Sequence, residues 1–388
     1  MTTAFEPATE APAGAHQRSG GPPQAGASIA VFGWRVPVVG PSWHDPRTRL
    51  SAVVVTLQVL GQTVLGFKVS IAQILLTLGL CALVDSGVNL CKAGVLAWPS
   101  SGLLTGNGIA FILRASGTRH GAWWSLHGIA YFALAALVAM LSKHLIRPGG
   151  RHLFNPSNVG IVACLLLIGP ARVFPQYLWW GPVGWSGKGW PVLAALAVIL
   201  AGGAWVLRSV RMVPMAAAFL VTFSAAIAVL AAAGASFVAV WHSGPVSGAS
   251  YWLNICTSPE LAVFVFFMMS DPQTSPRPAR SRVIYGIATA LVAAGLTALQ
   301  PTEFGIKLAI LSSLTVVCAL VPAIERLGST NRPLAWVPSK RVLSAALRPA
   351  VVVAAVIAVA APADTAALAS NTQVVLIERG LTGAHNPQ

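Results

Sequence analysis

Charge is what this sequence has least of. Only 9% of its 388 residues are Asp, Glu, Lys or Arg, against about 25% in a soluble domain. That shortage excludes an ordinary soluble globular protein. Acidic residues number ten, against 25 Lys and Arg, so each carboxylate in an apolar run is a position to explain. The five cysteines, Cys81, Cys91, Cys164, Cys256 and Cys318, form no CxxC pair, which argues against a zinc site or disulfide framework and for small apolar fillers. No phosphate-binding Walker sequence, haem-attachment CxxCH or nucleophile elbow is present, and the TGNG at residues 105–108 sits in an apolar run rather than after a soluble strand. These gaps leave no catalytic residue and no metal ligand to assign.

What the chain has instead is apolar length. Hydrophobic residues make up 55% of it, gathered in runs near the ~20 residues needed to cross a bilayer. The runs predict spans at about 50–67, 69–91, 93–114, 122–142, 153–171, 190–207, 213–234, 254–271, 283–300 and 306–323. A further Ala/Val run at 349–362 is short for a span, and both crossing and stopping short are open readings. Residues 1–46 carry no apolar core of the signal-peptide kind and are predicted as a disordered tail; 47–325 form the membrane domain; 326–388 are a basic loop, the extra run and a second tail.

The formal charge of +15 does not point to nucleic acid, because the basic residues fall in loops between apolar runs. With the N-terminus inside and ten spans crossing in turn, eighteen Lys and Arg lie on the cytoplasmic side and seven outside. The reversed arrangement inverts that ratio, so the positive-inside rule predicts a bacterial-type cytoplasmic membrane and a cytoplasmic N-terminus. Tryptophans 179, 180, 185 and 190 fit an interfacial belt.

Five spans in each half give the halves opposite senses in the membrane. Both the third span (SSGLLTGNG, residues 100–108) and the eighth (opened by TSPE at 257–260, closed by SDPQTSP at 270–276) are interrupted. Interrupted backbone at membrane depth must be buried in protein or line a cavity. The expected architecture is therefore all-α and polytopic, with two inverted five-helix repeats, 47–171 and 190–325, around a site made by the breaks.

Polar residues on or beside the breaks are the candidate lining: Ser101, Gly102, Thr105, Asn107, Asn155 and Asn158. Either they line a ligand site or they tie the breaks to neighbouring helices. Intramembrane acids are costly and are candidates by default. Asp85 reads as a cation or proton ligand, or as a carboxylate paired with Lys92 or capping a broken helix. Glu260 reads as a lining acid, or as a first-turn acid behind an N-cap at Thr257 or Ser258 with Pro259 between. Asp271 lines the site or caps a loop beside Arg277 and Arg280. His127 fits a satisfied interhelical histidine. Glu303 and Lys307, at i,i+4 spacing, fit an outer-surface pair.

Three stretches, SGLLTGNGIAFILR (101–114), FNPSNVG (154–160) and FFMMSDPQTSPRPARSRVIYG (266–286), resemble the NqrB/RnfD family of membrane electron-transport subunits. The resemblance implies a urea-channel-like fold of inverted repeats and electron transfer through flavin or quinone. RHLFNPSNVG, WWGP at Trp179, WHSGPV at Trp241 and TSPE at Thr257 look closest to the RnfD-like proteins of enediyne gene clusters. That branch implies an association with enediyne biosynthesis. The family carries flavin covalently in an SGAT-type motif after the FNP helix. Residues 172–189 hold no such motif, and SGAS at 247–250 lies in a different loop, which leaves Ser250 as a weak attachment candidate. Any flavin, FMN or riboflavin, is then expected to be non-covalent. The implied partners are the bilayer, other membrane redox subunits and biosynthetic enzymes, with this chain as a non-catalytic subunit. Interrupted spans around a central site equally fit a transporter or channel for a small solute, an ion or a natural product, serving export or self-resistance.

Overall fold

The computed structural model describes residues 28–31, 34–41, 46–63, 65–176, 189–242 and 244–328. The 349–362 run, three of the four belt tryptophans and most of the predicted N-terminal tail lie outside them.

Helices dominate. They are α1 (Pro46–Thr63), α2 (Ile71–Ala93), α3 (Ser100–Ile112), α4 (Ile129–Leu145), α5 (Pro156–Ile168), α6 (Gly189–Ser209), α7 (Val213–Ala232), α8 (Gly248–Cys256), α9 (Pro259–Val263), α10 (Ala279–Thr297) and α11 (Glu303–Gly328). A π-helical turn, Phe264–Met268, continues α9. Among the described residues, four stretches are long and apolar enough to cross a membrane: Ile71–Ala93, Val213–Ala232, Gly248–Met268 and Glu303–Gly328. Shorter apolar helices accompany them at Leu50–Thr63, Ile129–Leu145, Pro156–Ile168 and Leu193–Ser209. Large apolar side chains such as Leu83, Leu167, Val221 and Val229 point outward from these helices. Exposed apolar surface on this scale marks a molecule whose solvent is lipid.

Helix ends differ from the predicted spans where small residues bend the chain. The fourth span starts at Ile129 rather than near residue 122, because Gly128 takes a left-handed φ of 65° and residues 116–128 form turns. Residues 94–99 are not helical; Leu96–Ala97 pair in parallel with Val38 and Val39 of a hairpin made by Ser28–Val31 and Trp34–Val39. Ser28–Val31 and Trp34–Val39 therefore form strands within the stretch expected to be a disordered tail. Two more short strand pairs join Leu113–Ala115 to Val173–Pro175 and Ser236–Val238 to Pro245–Ser247.

The packing follows an order. In the first half α2 lies on α3 and α4, α4 on α5, and α1 on α3. In the second, α7 lies on α8 and α10, α10 on α11, and α6 on α9. The halves meet where α1 packs on α6 and α5 on α11. Close approach depends on glycine at α2–α3. A Cβ on Gly102 would sit 2.7 Å from the Cys81 carbonyl oxygen, and one on Gly106 2.8 Å from that of Thr77. Both pairs are four residues apart, so one turn of α3 fits one turn of α2, the small-residue packing that holds helices together in lipid.

Candidate functional site

Two neighbouring compartments share part of their lining. The larger, about 470 Å³, reaches from the N-terminal ends of α1 and α5 and the C-terminal end of α6 to the residues after the π-turn. The smaller, about 50 Å³, lies against the end of α3, the start of α9, the π-turn, the first turns of α11 and Gln176. Ile112 and Met268 line both, and so form the wall at which the two compartments meet.

Local sequence builds the breaks that open this space. Asn155 caps α5: its Oδ1 accepts from Asn158 N at 3.1 Å, and Pro156 occupies the first helical position, where its missing N–H costs nothing. Ser258 caps α9 in the same way, accepting from Glu260 N at 3.1 Å ahead of Pro259. Of the two caps the sequence offered there, Ser258 is used. At the far end of that segment the π-turn bonds Met269 N to Phe264 O at 2.9 Å, and such turns are frequent at functional sites. Asn155 Nδ2 donates to Met268 O at 3.0 Å, so the two breaks are tied to each other across the halves. Arg151 holds the following loop by donating to the carbonyls of Pro272, Gln273 and Ser275.

Of the sequence candidates, Ser101, Thr105, Asn155 and Asp271 line the large cavity and Glu260 the small one. Asp85, Gly102, Asn107 and Asn158 line neither. Asn158 ties α5 to α11, donating to Leu311 O and Thr315 Oγ1 at 2.9 Å each. Asn107 is buried in α3, and its Nδ2 has no hydrogen-bond partner among the described residues. Asp271 Oδ2 lies 3.5 Å from His152 Nε2, and its Oδ1 accepts from Gln273 N. Ser250 is in the first turn of α8, behind a hairpin that ends at the left-handed Gly248, away from both compartments.

Two buried charge clusters flank the space. Asp85 pairs with Lys143 at 2.6 Å, not with the expected Lys92, and its other oxygen accepts from Gly102 N at 3.1 Å. His144 Nε2 lies 3.4 Å from the oxygen that Lys143 contacts. Toward the small compartment, Lys307 meets Glu303 at 2.7 Å and Glu260 at 3.0 Å and donates to Gln176 O at 3.3 Å. Arg114 and Lys307 both approach the Phe174 ring, at 5.9 and 6.0 Å from its centroid. The Glu303–Lys307 pair is present at its expected spacing but is not on the surface: the residues are only 1% and 4% exposed.

Sequence reasoning missed Lys143, His152, Gln176, Ile112, Met268 and Trp205. A signal existed for Lys143, since the α4 pattern continues through AMLSKHL to Leu145 and sets a cation inside the helix. His127, expected between helices, is exposed in a turn, where its ring meets Ser116 O at 2.7 Å. The described cysteines are unpaired, and no group of His, Cys, Asp or Glu among the described residues could hold a metal ion.

Comparison with known proteins adds no name to this geometry. No family model matches the chain, and no curated protein matches it.

Proposed function

We propose that the chain moves a solute across a membrane through a path between two inverted five-helix halves. The observation that carries this reading is a pair of neighbouring compartments separated by the side chains of Ile112 and Met268, which line both. Support for the repeat comes from the matching order of helix packing in each half. The expected interruption of the third span within 100–108 is absent, since α3 is continuous and only residues 94–99 ahead of it are non-helical, whereas the eighth span is broken between α8 and α9. The basic-residue asymmetry of the loops supports a cytoplasmic N-terminus in a bacterial-type inner membrane. In that orientation the large cavity faces the cytoplasm and the Lys307 cluster closes the outer end.

The test is flux in proteoliposomes, with light scattering for uncharged solutes and dyes for Na⁺ and H⁺. Protein-dependent flux of at least one solute is expected. Met268→Trp, which fills the shared wall, is expected to slow it about tenfold, the effect of a barrier raised by ~1.4 kcal/mol. A broad panel with no protein-dependent flux, or a tryptophan variant as fast as the parent, would overturn the proposal.

A second reading is electron transfer through non-covalent flavin or quinone. It is favoured by one observation: the three stretches that resemble electron-transport subunits, 101–114, 154–160 and 266–286, all contribute residues to the large cavity. It predicts a yellow protein with a flavin absorption band and an intact mass equal to that of the bare chain. Colourless protein from a flavin-replete host, with no bound quinone on extraction, would sink it.

A further inference from the structure

The large compartment differs from wall to wall, and the difference describes its occupant. At about 470 Å³ it falls in the range of small-molecule sites, roughly 300–1,000 Å³, well above what a bare or hydrated ion needs. One wall comes from the packed pair α1 and α6, which present Leu50, Val54, Trp205 and Val206. The tied pair of breaks presents Asn155, Ser157, Ser270 and Gln273 beside Phe267 and Met268. Between them α3 offers Ser101 and Thr105 at one end and Phe111 at the other.

The polar wall has a definite hydrogen-bonding sense. Asn155 spends an amide hydrogen on Met268 O, Ser157 its hydroxyl on Asn155 Oδ1, Ser270 on Phe266 O and Thr105 on Ser101 O. The hydroxyl donors of Ser157, Ser270 and Thr105 are committed, while their oxygens keep acceptor lone pairs. At these three positions the wall therefore accepts rather than donates. Its charges balance: Arg47 and Asp271 are of opposite sign, and Asp271 already meets His152 and Gln273 N. A lone ion finds no uncompensated partner here.

We infer that this compartment binds an uncharged, ring-bearing amphipathic molecule, its flat apolar body against α1 and α6 and an edge of O–H or N–H donors against the breaks. This rests on the solute path proposed above and names the class of solute. Three fused rings with one amine match the size and polarity, so 1-aminoanthracene, whose fluorescence rises in apolar sites, is the probe.

Titration is done on the full chain in nanodiscs, with empty nanodiscs subtracted for partition into lipid. Saturable binding is expected. It should weaken about tenfold in Trp205→Leu, which removes a flat surface, and in Leu104→Trp, which occupies the space. Proflavine, with the same three-ring frame but a positive charge, should bind at least about tenfold more weakly. Binding equal to that of empty discs, binding untouched by both substitutions, or proflavine as tight as the neutral probe would overturn the inference. Because the titration needs no transport, the two readings fail separately. Solute flux that the probe does not compete would remove this assignment alone, whereas binding without any flux would remove the transport reading alone.

Discussion

Lys307→Met is expected to destabilise the protein by ~3–5 kcal/mol, the usual cost of removing one partner from a buried ion pair. Lys307 is 4% exposed and lies 2.7 Å from Glu303 and 3.0 Å from Glu260. Methionine keeps much of its length and apolar stem but leaves two carboxylates facing each other, with Arg114, beyond the Phe174 ring, as the nearby cation. Like charges held together out of water must take up a proton or move apart. Moving apart separates α9 from α11, because Lys307 joins those two elements and also holds Gln176 O. The check is a denaturation curve in detergent for Lys307→Met and for the triple variant Lys307→Met, Glu260→Gln, Glu303→Gln. The triple variant should regain most of the loss, since replacing a whole buried cluster with neutral groups is far milder than orphaning its members. A single variant as stable as the parent would remove the cluster from any account of this end of the molecule.

That cluster also marks where sequence reading stopped. Glu303 and Lys307 are four residues apart on one helix, so their pairing is local and legible. Their burial is not local. It is imposed by Gln176 and Glu260, brought in from a loop of one half and a broken helix of the other. The sequence expectation of an outer-surface pair failed for that reason. The helical, apolar character of the described residues was legible, because apolar run length is a strong signal in a chain with so little charge. Helix ends were less so: Gly128 and the stretch from Gly94 to Pro99 are as apolar as the helices they stop, and only their backbone conformation ends the element. Part of the site could be foreseen. Asn-Pro and Ser-Pro carry a start signal in their chemistry, and both breaks border the central space. The apolar half of the site could not, because Ile112, Met268 and Trp205 look like any other lipid-phase residue until the fold turns them inward.

Asp85 tests the remaining link between charge and cavity. Lys92 is near it in sequence, whereas its actual partner Lys143 lies 58 residues away and 2.6 Å off in space. The same carboxylate does a second task. Helix α3 begins behind Pro99 with no side-chain cap of its own, so its first N–H groups need acceptors from elsewhere. Asp85 Oδ2 accepts from Gly102 N at 3.1 Å, which caps α3 from the neighbouring helix and sets a negative charge at its N-terminus, where the helix dipole favours one. Two substitutions separate these tasks. Asp85→Asn keeps an acceptor for Gly102 but leaves the buried Lys143 without its counter-ion, and should cost ~3–5 kcal/mol. Asp85→Ala loses the cap as well and should cost a further ~1–3 kcal/mol for the unsatisfied N–H. Adding Lys143→Met should rescue the asparagine variant more fully than the alanine variant, since only the latter still lacks the cap. Denaturation midpoints of the four proteins decide this, and equal rescue in both backgrounds would reject the capping role. The cap also governs the cavity. Ser101 and Thr105, one residue before and three after Gly102, carry the polar end of α3 on the cavity wall. Fraying that turn should weaken 1-aminoanthracene binding in Asp85→Ala, Lys143→Met but not in Asp85→Asn, Lys143→Met, although neither position touches the space the probe fills.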